Sequence, residues 1–159
     1  SELLRKILLN KKSNFHVFSD LLLYLAARNE NINKIIKKNY KKKVILIDRF
    51  IDSTVAYQHY GMGIDLKIIN LINNYLMKGI RVHYTFLNVV SIKNLKKRLN
   101  KRKNLNKYDR FNSIFYNQVQ KGFISLANKK SKYLIVNSNN DINYNKKMII
   151  NKIEKIIFN

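Results

Sequence analysis

The stretch Val44-Ile45-Leu46-Ile47-Asp48-Arg49-Phe50-Ile51-Asp52-Ser53-Thr54-Val55-Ala56-Tyr57-Gln58 decides the fold class. Its first four residues are an uninterrupted apolar run, which predicts a short buried strand over Val44–Ile47. An Asp and an Arg side by side at the carboxyl end of a strand occupy the edge where open α/β sheets bind ligands. The Arg49 guanidinium can grip a phosphate with its planar fork, and Asp48 can orient Mg²⁺ or its waters. A lone Asp–Arg pair is most often a surface ion pair worth about 0–1 kcal/mol, so the residues around it must carry the argument.

Strands and helices alternate on both sides of this stretch. Upstream, Leu3–Leu9 has a short helical pattern, and Asp20 to about Lys38 predicts a longer helix with Ser19 or Asp20 as its cap. Lys41-Lys42-Lys43 leads into the strand. Downstream, Tyr60-Gly61-Met62-Gly63 is a turn, and Asp65–Lys78 predicts a helix with apolar Leu66, Ile69, Leu71, Ile72, Leu76 and Met77. Gly79 is its expected C-cap. A second strand over His83–Val90 and a basic helix over Ser91–Arg102 follow, then a break at Asn104–Tyr108. Helix Asn112–Ala127, strand Tyr133–Val136 and helix Lys146–Ile157 complete the chain. The alternation predicts βαβ units and a parallel sheet. With no repeat and no flexible linker, residues 1–159 read as a single domain.

A chain of this length buries roughly 68–70% of its unfolded surface and needs no covalent staples. It contains no Cys, which excludes disulfides and thiolate metal sites and fits a reducing, cytoplasmic setting. No stretch reaches the length of a transmembrane span, and charges among the apolar residues of Ser1–Leu9 are unlike a signal peptide, so no membrane partner is expected. The 32 Lys and Arg against 9 Asp and Glu give a net charge of +23, which looks like a nucleic-acid footprint. The lysines, however, are scattered among Asn and Ile, which share A/T-rich codons. Biased base composition therefore accounts for the charge without selection for a polyanion, and a non-specific attraction to nucleic acids follows either way. His16, His59 and His83 are too widely spaced to form a ligand pattern, which predicts structural or surface roles.

The run Asp48–Gln58 closely resembles the Asp-Arg-aromatic motif of thymidylate kinases followed by that family's Asp-Ser-x-x-Ala-Tyr-Gln. Asp20-Leu21-Leu22-Leu23-Tyr24-Leu25-Ala26-Ala27-Arg28 resembles the family's acidic-apolar-aromatic run ending in Ala-Arg. Arg98 to Asp109 resembles its lid, an Arg-rich loop followed by Asp-Arg-aromatic-acid, here about residues 98–110. The resemblance extends over nearly the whole chain. It implies a three-layer P-loop nucleoside-monophosphate-kinase-like α/β fold, a parallel sheet flanked by helices. It also implies transfer of the ATP γ-phosphate to dTMP, giving dTDP for dTTP synthesis, with Mg²⁺ as cofactor. Carried over residue by residue, Tyr24 stacks on thymine, Arg28 hydrogen-bonds its carbonyl and Thr54 meets its edge. Tyr57 packs on the deoxyribose where a 2′-hydroxyl would lie, and Gln58 matches the motif. Arg49 clamps the acceptor phosphate, Asp48 orients Mg²⁺ through water, and Arg98, Arg102 and Lys107 close over the donor. A homodimer through the early helices, including Asp20–Lys38, is also implied.

Several positions depart from the family pattern. Asn106 replaces Asp and Lys107 replaces Arg in the lid, which keeps charge but loses the bidentate fork; Arg110 is out of register. Met62 stands for Arg, Val82 for Pro, His83 and Asn88 for Asp, and Asn137 for Asp after the last strand. No G-x-x-x-x-G-K-[ST] occurs; the family carries it upstream in a strand-loop-helix. The resemblance thus aligns Ser1 after that segment and implies a longer protein, by roughly a βαβ unit of 30 or more residues. Residue by residue, Tyr24 also reads as a core aromatic, Arg28 as a solvated helix residue, Ser53 and Thr54 as helix caps, and the lid lysines as a solvated face. For the chain as a whole, the alternatives are a deoxynucleoside kinase, a basic nucleic-acid-binding module and an inactive kinase remnant.

Overall fold

The computed structural model describes residues 2–10, 13–103, 108–129 and 131–158, and all of their side chains but those of Glu2, Arg5 and Arg110. They form two compact units, Ser1–Arg81 with Lys103–Phe123, and Val82–Arg102 with Ile124–Asn159.

The first unit is helical. Helix α1 (Glu2–Leu9) contacts α2 (Val17–Asn31), and Leu8, Leu21 and Leu25 are each at most 5% exposed. Helix α2 starts three residues before the expected Asp20. Its cap is His16, whose Nδ1 accepts the Phe18 N–H at 3.3 Å, rather than Ser19 or Asp20. Asp20 is instead buried. The helix passes without interruption into a π-helical segment, Ile32–Ile36, and then α3 (Lys37–Asn39). Ile32 and Ile36 continue its buried stripe, as the 3.6-residue pattern requires.

Residues 44–47 do not form the expected buried strand. They have no ladder partner among the described residues, and Val44 and Leu46 are 65% and 78% exposed. An apolar run becomes a strand only when a neighbour takes up its N–H and C=O groups and a second layer covers its side chains.

Helix α4 (Ile51–Thr54) runs into a second π-helical segment, Val55–Gly61, and α5 (Leu66–Leu76) begins where Asp65 accepts the Lys67 N–H at 2.8 Å. The C-cap of α5 is Met77. Gly79 follows two residues later with φ +79°, because the Ile80 N–H turns back onto the Met77 carbonyl at 2.8 Å. Ala56, Phe115 and Val119 form the core beneath this region, flanked by Tyr57, Met62, Tyr116 and Phe123. Phe115, Tyr116, Val119 and Phe123 come from α7 (Ser113–Asn128), and the residues of α7 up to Phe123 belong to this unit. Packing is tight here: a Cβ on Gly122 would lie 2.6 Å from the Tyr60 ring.

The second unit holds the sheet. Strands β1 (Thr85–Val89) and β2 (Tyr133–Asn137) pair in parallel, with Leu87 opposite Ile135. Leu87 and Val136 supply its buried centre. Ser91 caps α6 (Ile92–Asn100) by accepting the Asn94 N–H at 3.3 Å. Helix α8 (Ile142–Phe158) starts four residues before the expected Lys146, because Asp141 accepts the Asn143 and Tyr144 N–H groups at 2.8 and 3.1 Å. Parallel strands flanked by helices make this an α/β fold.

Candidate functional site

The residues singled out in the sequence for base, sugar and acceptor phosphate all lie in the first unit, on α2, the loop at 48–50, α4 and the π-helical segment after it. The loop makes a sharp turn at Arg49, whose φ of 60° is in the left-handed region. A side chain there costs about 1–2 kcal/mol over Gly. The turn sets the Arg49 guanidinium over the Tyr57 ring, 5.1 Å from its centroid. Burial works against the Arg49 charge, but Tyr57 and Asp48 outweigh it and hold its pKa above the ordinary arginine value. Asp48 itself is exposed.

Arg28 reaches from α2 to the next motif. Its Nη1 donates to Thr54 Oγ1, its Nη2 donates to the Phe50 carbonyl at 3.1 Å, and its guanidinium lies 5.8 Å from the Phe50 ring centroid. Burial lowers the Arg28 pKa to about 10, opposed by Asp52, so the side chain is charged at neutral pH. Arg28 is therefore not a solvated helix residue. Nor is Thr54 a cap: α4 is led by Phe50 with no side-chain cap, and Thr54, 2% exposed, closes the helix as the acceptor for Arg28.

Tyr24 and Tyr57 are joined through a residue the sequence reading did not select. The Tyr108 ring meets Tyr24 edge-on at 5.9 Å between centroids and Tyr57 at 6.1 Å. Tyr108 is 8% exposed; its hydroxyl donates to buried Asp20 Oδ2 at 3.4 Å, and its carbonyl accepts the Tyr116 hydroxyl at 2.7 Å. Burial raises the pKa of both Tyr24 and Tyr108, so both hydroxyls keep their protons at neutral pH. The one signal for Tyr108 was its place as the aromatic of the lid's Asp-Arg-aromatic-acid pattern. Phe115 and Phe123 also meet Tyr57, at 6.0 and 6.3 Å. Gln58 is buried, with its main-chain carbonyl accepting the Ile64 N–H at 2.9 Å.

Arg98 and Arg102 belong to the second unit. Arg98 donates from Nη2 to the Ser138 carbonyl at 2.6 Å, tying α6 to the turn after β2, while Arg102 is exposed. In that turn Asn137, at the place of the family's Asp, accepts the Asn139 N–H at 3.0 Å. Lys107 lies outside the described residues, as does the rest of 104–107 in the expected lid. Among the described residues no group of three or more His, Cys, Asp or Glu converges. A Mg²⁺ ion oriented by Asp48 would thus draw most of its ligands from water and phosphate, its ordinary mode of binding. His59 bonds the Ile64 carbonyl through Nδ1 at 2.8 Å, a local structural contact.

Comparison with known proteins gives one answer. The thymidylate kinase family model matches residues 1–149. The chain is 34% identical over 158 residues to the thymidylate kinase of Sulfurihydrogenibium sp. (strain YO3AOP1), covering 96% of this chain and 75% of that protein. It is 37% identical over 131 residues to that of Wolbachia pipientis wMel, covering 82% of this chain and 64% of the relative. The crystal structure of thymidylate kinase from Ehrlichia chaffeensis superposes with a TM-score of 0.72 at 31% identity, covering 96% of this chain and 72% of that one. The chain thus spans between 64% and 75% of the length of these three proteins.

Proposed function

This chain belongs to the thymidylate kinase family of phosphotransferases, and from that premise we propose that the protein transfers the ATP γ-phosphate to dTMP, giving dTDP. The supporting observation is contiguity. Arg28 bonds Thr54, Arg49 lies over Tyr57, Tyr57 and Tyr24 share Tyr108, and Tyr24 is near enough to both arginines to act on their charge, so the base, sugar and phosphate candidates form one connected set.

In this reading the Tyr24 ring stacks on thymine, and Arg28, whose remaining N–H groups are held in place by its bonds to Thr54 and Phe50, donates to the base carbonyl. Thr54 meets the base edge. Tyr57, wedged among Tyr108, Phe115 and Phe123, cannot yield to a 2′-hydroxyl and so favours deoxyribose. Arg49 clamps the acceptor phosphate with its fork. Phosphoryl transfer depends chiefly on positioning and electrostatics, so a clamp fixed by a turned backbone and an aromatic face serves the reaction directly. Buried Gln58 supports this wall. Arg98, Arg102 and Lys107 supply positive charge to the donor as lid residues of a single kinase domain. Mg²⁺, when bound, neutralises charge on the phosphates, with Asp48 holding its waters. We also propose a cytoplasmic homodimer through the early helices, including Asp20–Lys38. These helices carry Leu3 and Leu22 at 72% and 48% exposure, and among the described residues no helix is long and apolar enough to cross a membrane.

The test is ADP formation by the full-length protein with dTMP, with thymidine and without acceptor. Turnover that requires dTMP is expected. Equal turnover with thymidine would make it a nucleoside kinase, and dTMP binding without turnover a remnant. Nucleic-acid binding that falls steeply with salt and ignores dTMP would favour the basic module.

A further inference from the structure

We propose that Tyr108 is a positioning residue of the nucleoside pocket, fixing the separation of the base-facing Tyr24 from the sugar-facing Tyr57. The proposal rests on the dTMP reading above and adds a specificity determinant to it. One ring makes edge contacts with both aromatics, at 5.9 and 6.1 Å, so neither can shift toward it independently of the other. Tyr108 is itself held at both ends: its hydroxyl is on Asp20, and its carbonyl takes the Tyr116 hydroxyl. Asp20 and Tyr24 stand four residues apart on α2 and so share one stripe of the helix, which places the hydroxyl anchor and the ring contact on the same surface. Burial keeps the hydroxyl protonated and therefore a donor. Behind it the aromatic packing continues, with Phe111 at 5.8 Å from Tyr108 and stacked on Phe115 at 4.1 Å, while Phe115 also meets Tyr57. A ring so fixed defines the distance between stacked base and sugar.

The test uses full-length protein carrying Tyr108→Leu, Tyr108→Phe or Asp20→Asn, with steady-state kinetics on dTMP, on its ribose counterpart and on ATP. Edge-to-face aromatic pairs each carry about 2- to 12-fold in an equilibrium constant, so losing two should raise KM for dTMP about tenfold. KM for ATP should not move, and kcat should change less than KM for dTMP. The preference for dTMP over the ribonucleotide should shrink alongside. Tyr108→Phe and Asp20→Asn, which spare the rings, should move the sugar preference in the same direction by about twofold. A merely structural role would lower the melting temperature and the active fraction while leaving KM for dTMP and the sugar preference unchanged, and that result overturns the proposal. If Tyr108→Leu does not fold, an unchanged sugar preference in Tyr108→Phe overturns it instead. A wild type inactive on dTMP overturns the parent reading as well, whereas an active wild type with indifferent variants overturns this inference alone.

Discussion

Replacing Thr54 by Val keeps the shape of a side chain that is 2% exposed and deletes only the oxygen that accepts from Arg28 Nη1. The partner is a half-buried guanidinium whose pKa has already fallen to about 10 through burial, so the loss leaves a partly desolvated charged donor short of one acceptor. A hydrogen bond to a charged group contributes about 1.5–3 kcal/mol. At about 2–4 °C per kcal/mol for a protein of this size class, the melting temperature should fall by roughly 3–12 °C. If the same bond also aims Arg28 at thymine, KM for dTMP should rise about 10- to 150-fold while KM for ATP stays put. The remaining bond to the Phe50 carbonyl, at 3.1 Å, keeps Arg28 near its place but not its direction. Denaturant unfolding and steady-state kinetics of the full-length variant measure both effects, and a cycle with Arg28→Leu isolates the pair. A Thr54→Val protein with unchanged stability and unchanged KM refutes the reasoning. Lost stability with an unchanged KM would confine the bond to the fold.

Arg49→Gly should abolish transfer yet leave stability within about 1 kcal/mol of wild type, because relief of a left-handed side chain offsets the unfolded-chain entropy that Gly adds; unchanged turnover, or a large loss of stability, would contradict this, and Arg49→Ala should be equally inactive. Gly122→Ala should destabilise by about 1–2 kcal/mol despite the gain in helix propensity, since its Cβ would meet the Tyr60 ring at 2.6 Å and overpacking costs more than the propensity returns; a higher melting temperature would show that the ring moves freely. The raised pKa values of Tyr24 and Tyr108 favour the neutral hydroxyl in the folded state, so their stabilisation is complete below the ordinary tyrosine value of 10.0 and lost as pH rises beyond it. Arg28, lowered from 12.5 to about 10, acts with the opposite sign in the same window. Tyr108→Phe should therefore approach, relative to wild type, the same stability as pH is raised from about 9 to 11, read by urea unfolding; a constant difference would argue that Tyr108 ionises normally.

The helices were legible wherever a period and a conventional cap coincided, as in α5 behind Asp65 and α6 behind Ser91. They were missed at their starts where the cap was unconventional or distant. His16 is not a residue expected to accept an N–H at a helix start, and Asp141 lies well before the apolar run of α8. The run at 44–47 was legible as apolar but not as unpaired, because pairing depends on another segment. The same limit applies to the site. Arg28, Thr54, Arg49 and Tyr57 were recognisable from their motifs, yet nothing local announces a bond spanning 26 positions or a left-handed Arg. Tyr108 stood in a strongly basic stretch, and its contacts with Tyr24 and Tyr57 emerge only when that residue is folded against α2 and the segment after α4.

The π-helical turn over Val55–Gly61 has a consequence for how such proteins diverge. A π-turn absorbs one residue more than an α-turn, and each residue of an α-helix advances the side-chain direction by about 100°. Tyr57 and Gln58 sit within it, one half-buried under Arg49 and the other buried. Deleting a single residue there would leave the Asp-Arg, Thr54 and Ala-Tyr-Gln signatures readable while turning a different side chain toward Arg49 and Tyr108. In this segment chain length sets which side chain lies under Arg49 as much as residue identity does.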